Sequence, residues 1–247
     1  MAKDVYQEIV ELRRQGVRAA LATIVARKGS TPRKDAAKML IYEDGRQMGS
    51  IGGGCTEAEV CREAMLVMRS ERPKLLSFDL TDEDAEESAL LCGGVMEVYV
   101  EPILPDPTLF IFGAGHVGQA VASIARTLGF KIAVVDDRVK YANSERFPQA
   151  DDFYVNSWED VFASLPVNDS SYLLIATRGH KYDLSCLRYA IQTPARYIGL
   201  LGSRRKTKLL YEALEREGTD PVCFQRVFAP VGLEIGSETP EEIAVSI

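Results

Sequence analysis

Histidine is scarce in this chain of 247 residues, which contains only His116 and His180. No Cys-x-x-Cys pair occurs either, so the sequence excludes a zinc site with the usual ligand spacing. The cysteines number five, and an odd count argues against a framework of disulfides. Lysine and arginine form no long run, and the formal net charge is −7. We therefore expect no nucleic-acid partner, because neutralising phosphates requires a basic surface.

Long hydrophobic runs are also missing. No segment approaches the roughly 20 apolar residues that span a bilayer, so we expect no membrane association. Residues 1–8 contain no apolar core of a signal peptide, and we expect a cytoplasmic protein. With 46% hydrophobic and 26% charged residues, the composition is that of a globular protein that forms one large domain or two small ones.

The first part of the chain mixes predicted helices and strands without regular alternation. A capping-box pattern at Thr56-Glu57-Ala58-Glu59 predicts that a helix begins there and runs to about residue 70. Prolines at 102, 105 and 107 indicate an interdomain linker. We therefore predict a small α+β domain over residues 1–104. Its other expected elements are a helix over 3–16, a short acidic helix that begins at residues 81–84, and strands over 18–26, 38–42, 47–51, 74–80 and 95–101.

From residue 108 onward, the pattern changes to regular alternation of strands and helices. Such alternation predicts a doubly wound parallel sheet, and we assign a Rossmann-like domain to residues 108–247. A capping box at Thr239-Pro240-Glu241-Glu242 predicts a last short helix. Strands are expected over 108–112, 131–136, 152–155, 171–176, 196–201 and 226–229, and helices over 116–128, 157–164, 182–192 and 204–217.

A dinucleotide-type fingerprint, Gly113-Ala114-Gly115-His116-Val117-Gly118, follows the first of these strands. Gly113 permits the tight turn, Gly115 lets a phosphate approach the backbone, and Gly118 permits close packing of helix on strand. Asp136, at the end of the next strand, is placed to accept a hydrogen bond from a ribose hydroxyl. The same turn cradles any phosphate, and a Rossmann fold with a repurposed site is the alternative interpretation.

Two glycine-rich turns carry cysteines in the first domain: Gly52-Gly53-Gly54-Cys55 and Cys92-Gly93-Gly94. A thiol at Cys55 would feel the positive end of the following helix, which favours a reactive thiolate. Gly53 and Gly54 would let a bulky ligand approach the backbone. In the alternative interpretation, the glycines serve turns and the cysteines are small apolar fillers.

Polar residues follow other strands of the second domain, where parallel sheets bind ligands. His180 and Asp183 are candidates for acid–base work or ligand contacts, and helix capping is an equally good interpretation of Asp183. His116 would face a ligand of the glycine turn, or serve the fold alone. Ser203, Arg204 and Arg205, next to Lys206, are candidates for an anion site or for a solvated helix face.

The order of these motifs resembles the XdhC/CoxI family of xanthine dehydrogenase accessory proteins. The similarity covers almost the whole chain, through residues 49–57, 92–94, 113–118, 178–180, 199–206, 229–236 and 238–244. The resemblance implies a maturation factor without turnover of its own. Such a protein binds molybdenum cofactor (molybdopterin), supports replacement of an oxo ligand by sulfur, and delivers the cofactor to a xanthine dehydrogenase-like apo-enzyme. A cysteine desulfurase is the other implied partner.

The resemblance also suggests how the cofactor binds. The terminal phosphate of molybdopterin suits the Gly113–Gly118 turn and the cations at 204–206, and a soft thiolate at Cys55 or Cys92 suits its sulfur-rich molybdenum end. Two other functions stay open: an NAD(P)-dependent oxidoreductase with His180 as acid or base, and a nucleotide-binding sensor without catalysis. We expect a homodimer, the commonest assembly.

Overall fold

The computed structural model of the chain describes residues 4–29, 36–79 and 94–247. The chain divides into two compact units, Met1–Pro105 and Asp106–Ile247. The acidic helix expected from residue 81 lies outside the described residues, as do Cys92 and Gly93 of the second cysteine turn, whereas Gly94 is described and begins a strand.

The first unit is built on a five-stranded antiparallel sheet with the strand order β3-β2-β1-β5-β4. In the described part of this unit, helices α1 and α2 cover the sheet, and each buries an apolar face against the strands. Helix α2 packs with Ile24, Met39 and Val98, whereas α1 packs with Leu21 and Leu40. The elements are α1 (Val5–Gln15), β1 (Ala19–Gly29), β2 (Lys38–Tyr42), β3 (Gln47–Gly49), α2 (Gly54–Ser70), β4 (Lys74–Asp79) and β5 (Gly94–Ile103).

The second unit contains a six-stranded parallel sheet with the strand order β11-β10-β9-β6-β7-β8. Counted from its first strand, this is the 3-2-1-4-5-6 order of a Rossmann fold. The elements are β6 (Thr108–Phe112), α3 (His116–Thr127), β7 (Lys131–Val135), β8 (Asp152–Tyr154), α4 (Trp158–Ser164), β9 (Ser171–Ile175), α5 (His180–Ala190), β10 (Tyr197–Leu200), α6 (Arg204–Arg216), a 3-10 helix (Pro221–Arg226), β11 (Val227–Phe228) and α7 (Pro240–Ser246).

The predicted fold class, α/β with a parallel Rossmann-like sheet, is confirmed. All six predicted strands of the second unit are present. The four central strands, β6, β7, β9 and β10, are short apolar runs that are almost fully buried, as in a parallel sheet covered on both faces, whereas the edge strands β8 and β11 are shorter and partly exposed. The capping box at Thr239 is also confirmed, with the Thr239 hydroxyl accepting from the Glu242 N–H and the Glu242 carboxylate accepting from the Thr239 N–H.

Two local predictions in the first unit are wrong. Helix α2 begins at Gly54 rather than at Thr56, whose side chain is buried, so the predicted capping box does not form. The carboxylate of Glu57 instead organises the turn before the helix. Pro102 belongs to β5 rather than to a linker; it lies beyond the Val95–Val100 stretch that pairs with β4, and proline is tolerated where a strand has become an edge.

Among the residues that the structure describes, no helix combines the length and the apolar character needed to cross a membrane.

Candidate functional site

The candidate site lies at the carboxyl edge of the parallel sheet, where strand order reverses between β6 and β9. Ligands of open α/β sheets bind at this switch point. Helices α3, α5 and α6 each begin within a few residues of the end of a strand, at His116, His180 and Arg204. Their first N–H groups lack partners within the helix and carry the positive end of the helix dipole. This edge of the sheet is therefore suited to an anionic ligand.

The glycine turn between β6 and α3 is tightly packed at Gly113 and Gly118 and open at Gly115. Gly113 has φ +114°, and a Cβ there would lie 2.3 Å from the carbonyl oxygen of Ala176. A Cβ on Gly118 would lie 2.6 Å from the carbonyl oxygen of Gly113 and 3.1 Å from Cγ2 of Ile111. By contrast, a Cβ on Gly115 would meet nothing within 4 Å. The turn thus leaves open space beside Gly115, at the start of α3.

Asp136 fixes the same turn through its side chain. It is 2% exposed at the end of β7, and its Oδ2 accepts a 2.8 Å hydrogen bond from the Ala114 N–H. Arg138 donates to both oxygens of this carboxylate, from Nε at 2.8 Å and from Nη2 at 2.9 Å. Burial raises the pKa of Asp136, but the bonds from Arg138 and Ala114 outweigh it and lower that pKa overall. Asp136 is therefore an ionised anchor of the glycine turn.

Arg178 connects the loops on either side of the glycine turn, a role that sequence reasoning missed. Its Nη2 donates to Oδ2 of Asp137, which follows β7, at 2.7 Å and to the hydroxyl of Tyr182 at 2.8 Å. The Arg178 guanidinium also lies 4.6 Å from the Tyr182 ring centroid. The bond to Asp137 spans 41 residues of sequence, and no local pattern indicates it.

The other predicted residues of this edge differ in their surroundings. His116 and His180 are both exposed, each as the first residue of its helix. Ser203 caps α6, because its hydroxyl accepts from the Lys206 N–H at 3.2 Å. Arg204 is exposed and pairs at 2.9 Å with Glu234, and Arg205 is also exposed. The two histidines and Arg205 are accessible to a ligand at this edge.

Asp183 is buried and does not cap α5, since the helix begins three residues earlier with Gly179 at the N-cap. Lys206 Nζ lies 2.5 Å from Oδ2 of Asp183 and also donates to the Leu201 carbonyl oxygen at 3.1 Å. The Thr177 hydroxyl donates to Oδ1 at 2.8 Å. This buried ion pair ties α5 to α6 beneath the site, and breaking such a pair is strongly destabilising.

In the first unit, Glu57 holds the cysteine turn in shape. Its Oε1 accepts from the Ser50 hydroxyl at 2.7 Å, from the Ile51 N–H at 2.9 Å and from the Gly52 N–H at 3.1 Å. Burial raises the pKa of Glu57, but these bonds and one from the Gly53 N–H lower it overall. Successive N–H groups of this kind form an anion-binding nest, and here the chain's own carboxylate fills it.

Cys55 is exposed in the first turn of α2, beside Gly53, where an added Cβ would meet nothing within 4 Å. The other described cysteines are more buried. Cys186 is fully buried, which raises its pKa well above the ordinary value, and burial also raises the pKa of Cys61. Within the described ranges, no three His, Cys, Asp or Glu side chains are grouped closely enough to hold a metal ion.

Comparison with known proteins gives two family matches. Residues 109–247 match the XdhC Rossmann domain, and residues 12–79 match the XdhC and CoxI family.

The chain is also similar to curated proteins. It is 36% identical over 245 residues to the uncharacterized protein YqeB of Escherichia coli strain K12, covering 99% of this chain but only 45% of YqeB. It is 26% identical over 306 residues to a probable xanthine dehydrogenase component of Bacillus subtilis strain 168, covering 93% of this chain and 91% of that protein. It is 23% identical over 287 residues to the molybdenum cofactor insertion chaperone PaoD of Escherichia coli strain K12, covering 96% and 84%.

A crystal structure described as a xanthine dehydrogenase from Bacillus halodurans superposes with a TM-score of 0.53 and 24% identity. The superposition covers 97% of this chain and 92% of that one, and it shows a shared fold.

Proposed function

The chain belongs to the XdhC and CoxI family, and on that premise we propose that it is an accessory protein in the maturation of xanthine dehydrogenase-type molybdenum hydroxylases. It binds molybdenum cofactor, supports its sulfuration and helps to insert it into the apo-enzyme. The observation that carries this proposal is the similarity, over 96% of the chain, to a protein named as a molybdenum cofactor insertion chaperone.

The second unit fits the phosphate end of such a cofactor. Molybdopterin ends in a phosphate, and the open space beside Gly115 lies at the start of α3, where backbone N–H groups bind anions. His116 and His180 are exposed at neighbouring helix starts and would donate to the same phosphate. Arg205 would add a positive charge at this edge. The residues proposed to hold the phosphate end are Gly113, Gly115, His116, Gly118, His180, Ser203, Arg204 and Arg205.

The first unit supplies the candidate thiols for the sulfuration step. The cofactor, when bound, supplies a molybdenum–dithiolene centre that accepts sulfur in place of an oxo ligand. A thiolate is a suitable neighbour for this soft, sulfur-rich group, and Cys55 is exposed in a glycine turn held in shape by Glu57. We propose Cys55 as the thiol that acts on the metal end during sulfuration, with Gly53 and Gly54 leaving room for a bulky ligand beside it, and Cys92 as the second candidate thiol.

The proposed partners follow from the same role. A xanthine dehydrogenase-like apo-enzyme receives the cofactor, and a cysteine desulfurase supplies the sulfur. We propose that the protein acts in the cytoplasm as a homodimer.

The deciding experiment is anaerobic purification of the chain from a molybdenum-replete host, followed by acid oxidation and fluorescence detection of pterin. We expect near-stoichiometric pterin with the wild-type chain and with the control variant Cys223→Ala, and loss of pterin with Cys55→Ala. Absence of pterin from the wild-type chain would contradict the role as a carrier. Full cofactor binding and full activation of the apo-enzyme by both Cys55→Ala and Cys92→Ala would contradict the proposed role of these two thiols.

A further inference from the structure

The carboxylate of Asp136 has no acceptor capacity left for a ligand. Its Oδ1 accepts from the Arg138 N–H at 3.1 Å and from Arg138 Nε at 2.8 Å. Its Oδ2 accepts from the Ala114 N–H at 2.8 Å and from Arg138 Nη2 at 2.9 Å. An ionised carboxylate offers about four lone-pair positions. All of them are filled by the protein itself.

The second acid after β7 is engaged as well. Asp137 accepts from Arg178 at 2.7 Å and lies 3.7 Å from Arg138 Nε. The Arg138 guanidinium is held in turn by Tyr141, whose ring centroid lies 4.1 Å away. Two acids and two arginines thus form a network of balanced charge at the end of β7.

This is the place where a Rossmann fold binds the ribose of a dinucleotide. In that mode, the acid at the end of the second strand accepts hydrogen bonds from the ribose hydroxyls, while the phosphates lie on the glycine turn. A ribose at this position would have to displace Arg138 from a two-pronged, charge-assisted pair with a carboxylate that is 2% exposed. The ribose would replace the guanidinium with neutral hydroxyl donors, whose hydrogen bonds to a carboxylate are weaker than those of a charged donor.

We infer that Arg138 is a specificity-determining residue that closes the ribose position, so that this edge of the sheet takes a ligand through its phosphate and rejects nucleotides that are anchored by a ribose diol. The exclusion of a ribose diol from Asp136 follows from the hydrogen bonds of that carboxylate, whereas the identity of the phosphate ligand rests on the proposed function. The substrate class that remains is a phosphate monoester without an NAD-type ribose contact.

The test is isothermal titration calorimetry of the full chain with NAD⁺, NADP⁺ and, as the phosphate probe, inorganic pyrophosphate. Arg138→Ala removes the guanidinium and so frees one acceptor position on each oxygen of Asp136 for a diol. Arg138→Gln, which keeps a donor and much of the side-chain bulk, serves if the alanine variant does not fold, as judged by circular dichroism. Arg126→Ala is the matched control, because Arg126 also pairs with an aspartate in this unit, Asp151, but on the surface.

We expect the wild-type chain and Arg126→Ala to bind pyrophosphate and to bind NAD⁺ and NADP⁺ no more tightly than pyrophosphate. Arg138→Ala should raise the affinity for NAD⁺ at least tenfold and change the affinity for pyrophosphate less than twofold. Arg138→Gln should raise the affinity for NAD⁺ by a smaller factor.

Three results would overturn the inference: tenfold tighter binding of NAD⁺ or NADP⁺ than of pyrophosphate by the wild-type chain, no gain for NAD⁺ in either Arg138 variant, or no binding of pyrophosphate. These results are distinct from failure of the proposed function. A chain that refuses NAD⁺ but carries no pterin contradicts the proposed function alone, whereas a chain that carries pterin and binds NAD⁺ tightly contradicts this inference alone.

Discussion

The glycine turn of the second unit allows a sharp test, because Gly115 and Gly118 lie in one motif but meet different surroundings. A methyl group on Gly118 would lie 2.6 Å from the Gly113 carbonyl oxygen, which cannot retreat without moving β6 or the turn. A methyl group on Gly115 would meet nothing within 4 Å, and φ of −83° is accessible to alanine. Gly118→Ala should therefore affect stability, and Gly115→Ala should affect binding.

The magnitudes follow from these contacts. Overpacking at Gly118 costs about 1–3 kcal/mol, and the better helix propensity of alanine returns up to about 1 kcal/mol. The net loss is therefore at most about 3 kcal/mol, and its central value of about 1–2 kcal/mol corresponds to a fall in Tm of roughly 2–8 °C for a domain of this size. At Gly115, alanine is the poorer N-cap by up to about 1 kcal/mol, but it restricts the unfolded chain by about 0.4–1 kcal/mol. The two effects oppose each other, so the stability of Gly115→Ala should stay within about 1 kcal/mol of the wild type.

The assay is thermal unfolding by calorimetry, paired with titration of pyrophosphate. We expect Gly115→Ala to keep its Tm and to bind pyrophosphate at least tenfold more weakly, since the methyl group occupies the space where a phosphate oxygen approaches the backbone. Gly118→Ala should unfold at the lower temperature. A Gly115→Ala variant that is less stable than Gly118→Ala, or that binds pyrophosphate like the wild type, would refute the reasoning.

Three other outcomes are expected. Because the folded state lowers the pKa of Glu57, its ionised form stabilises the fold above the ordinary value of 4.5, and that stabilisation is lost as pH falls. In urea unfolding followed by circular dichroism, Glu57→Gln should therefore lose most stability near pH 7 and differ least from the wild type near pH 4; an equal deficit at both values would contradict this. Lys206→Met should cost about 3 kcal/mol in the same assay, because it leaves the Asp183 carboxylate buried without its cation. Adding Asp183→Asn should recover part of the loss, and two additive losses would count against a coupled pair. Brief treatment with iodoacetamide and peptide mapping should label Cys55 and leave Cys186 unmodified until urea is added, since Cys186 is buried and its pKa is raised; early labelling of Cys186 would contradict its burial.

Much of the fold follows from local patterns of sequence. The apolar runs of the second unit predict its six strands, and helical periodicity predicts the helices between them, because burial imposes a recognisable spacing of apolar residues within each element. The glycine fingerprint predicts the turn after β6, since its spacing places a small residue at each point where strand, turn and helix come close.

Local sequence patterns give a wrong prediction where the same residues are compatible with two different structures. The residues after Cys55 satisfy a capping-box pattern, but Glu57 bonds backward to Ile51 and Gly52, and α2 begins earlier than the pattern predicts. Asp183 fits a helix-capping position in sequence, yet it is buried and pairs with Lys206 from another helix.

The sequence by itself determined the class of fold, the order of its elements and the position of the phosphate-type turn, all of which depend on residues near one another in the chain. Only the tertiary structure decided what the polar side chains at that turn do. Asp136 reaches Ala114 across 22 residues and Asp137 reaches Arg178 across 41, because the strand order places β6 between β7 and β9. In the sequence, Asp136 has no evident partner and could bind a ligand. In the fold, its carboxylate is fully hydrogen-bonded to Ala114 and Arg138, because hydrogen bonding depends on distance in space and not along the chain.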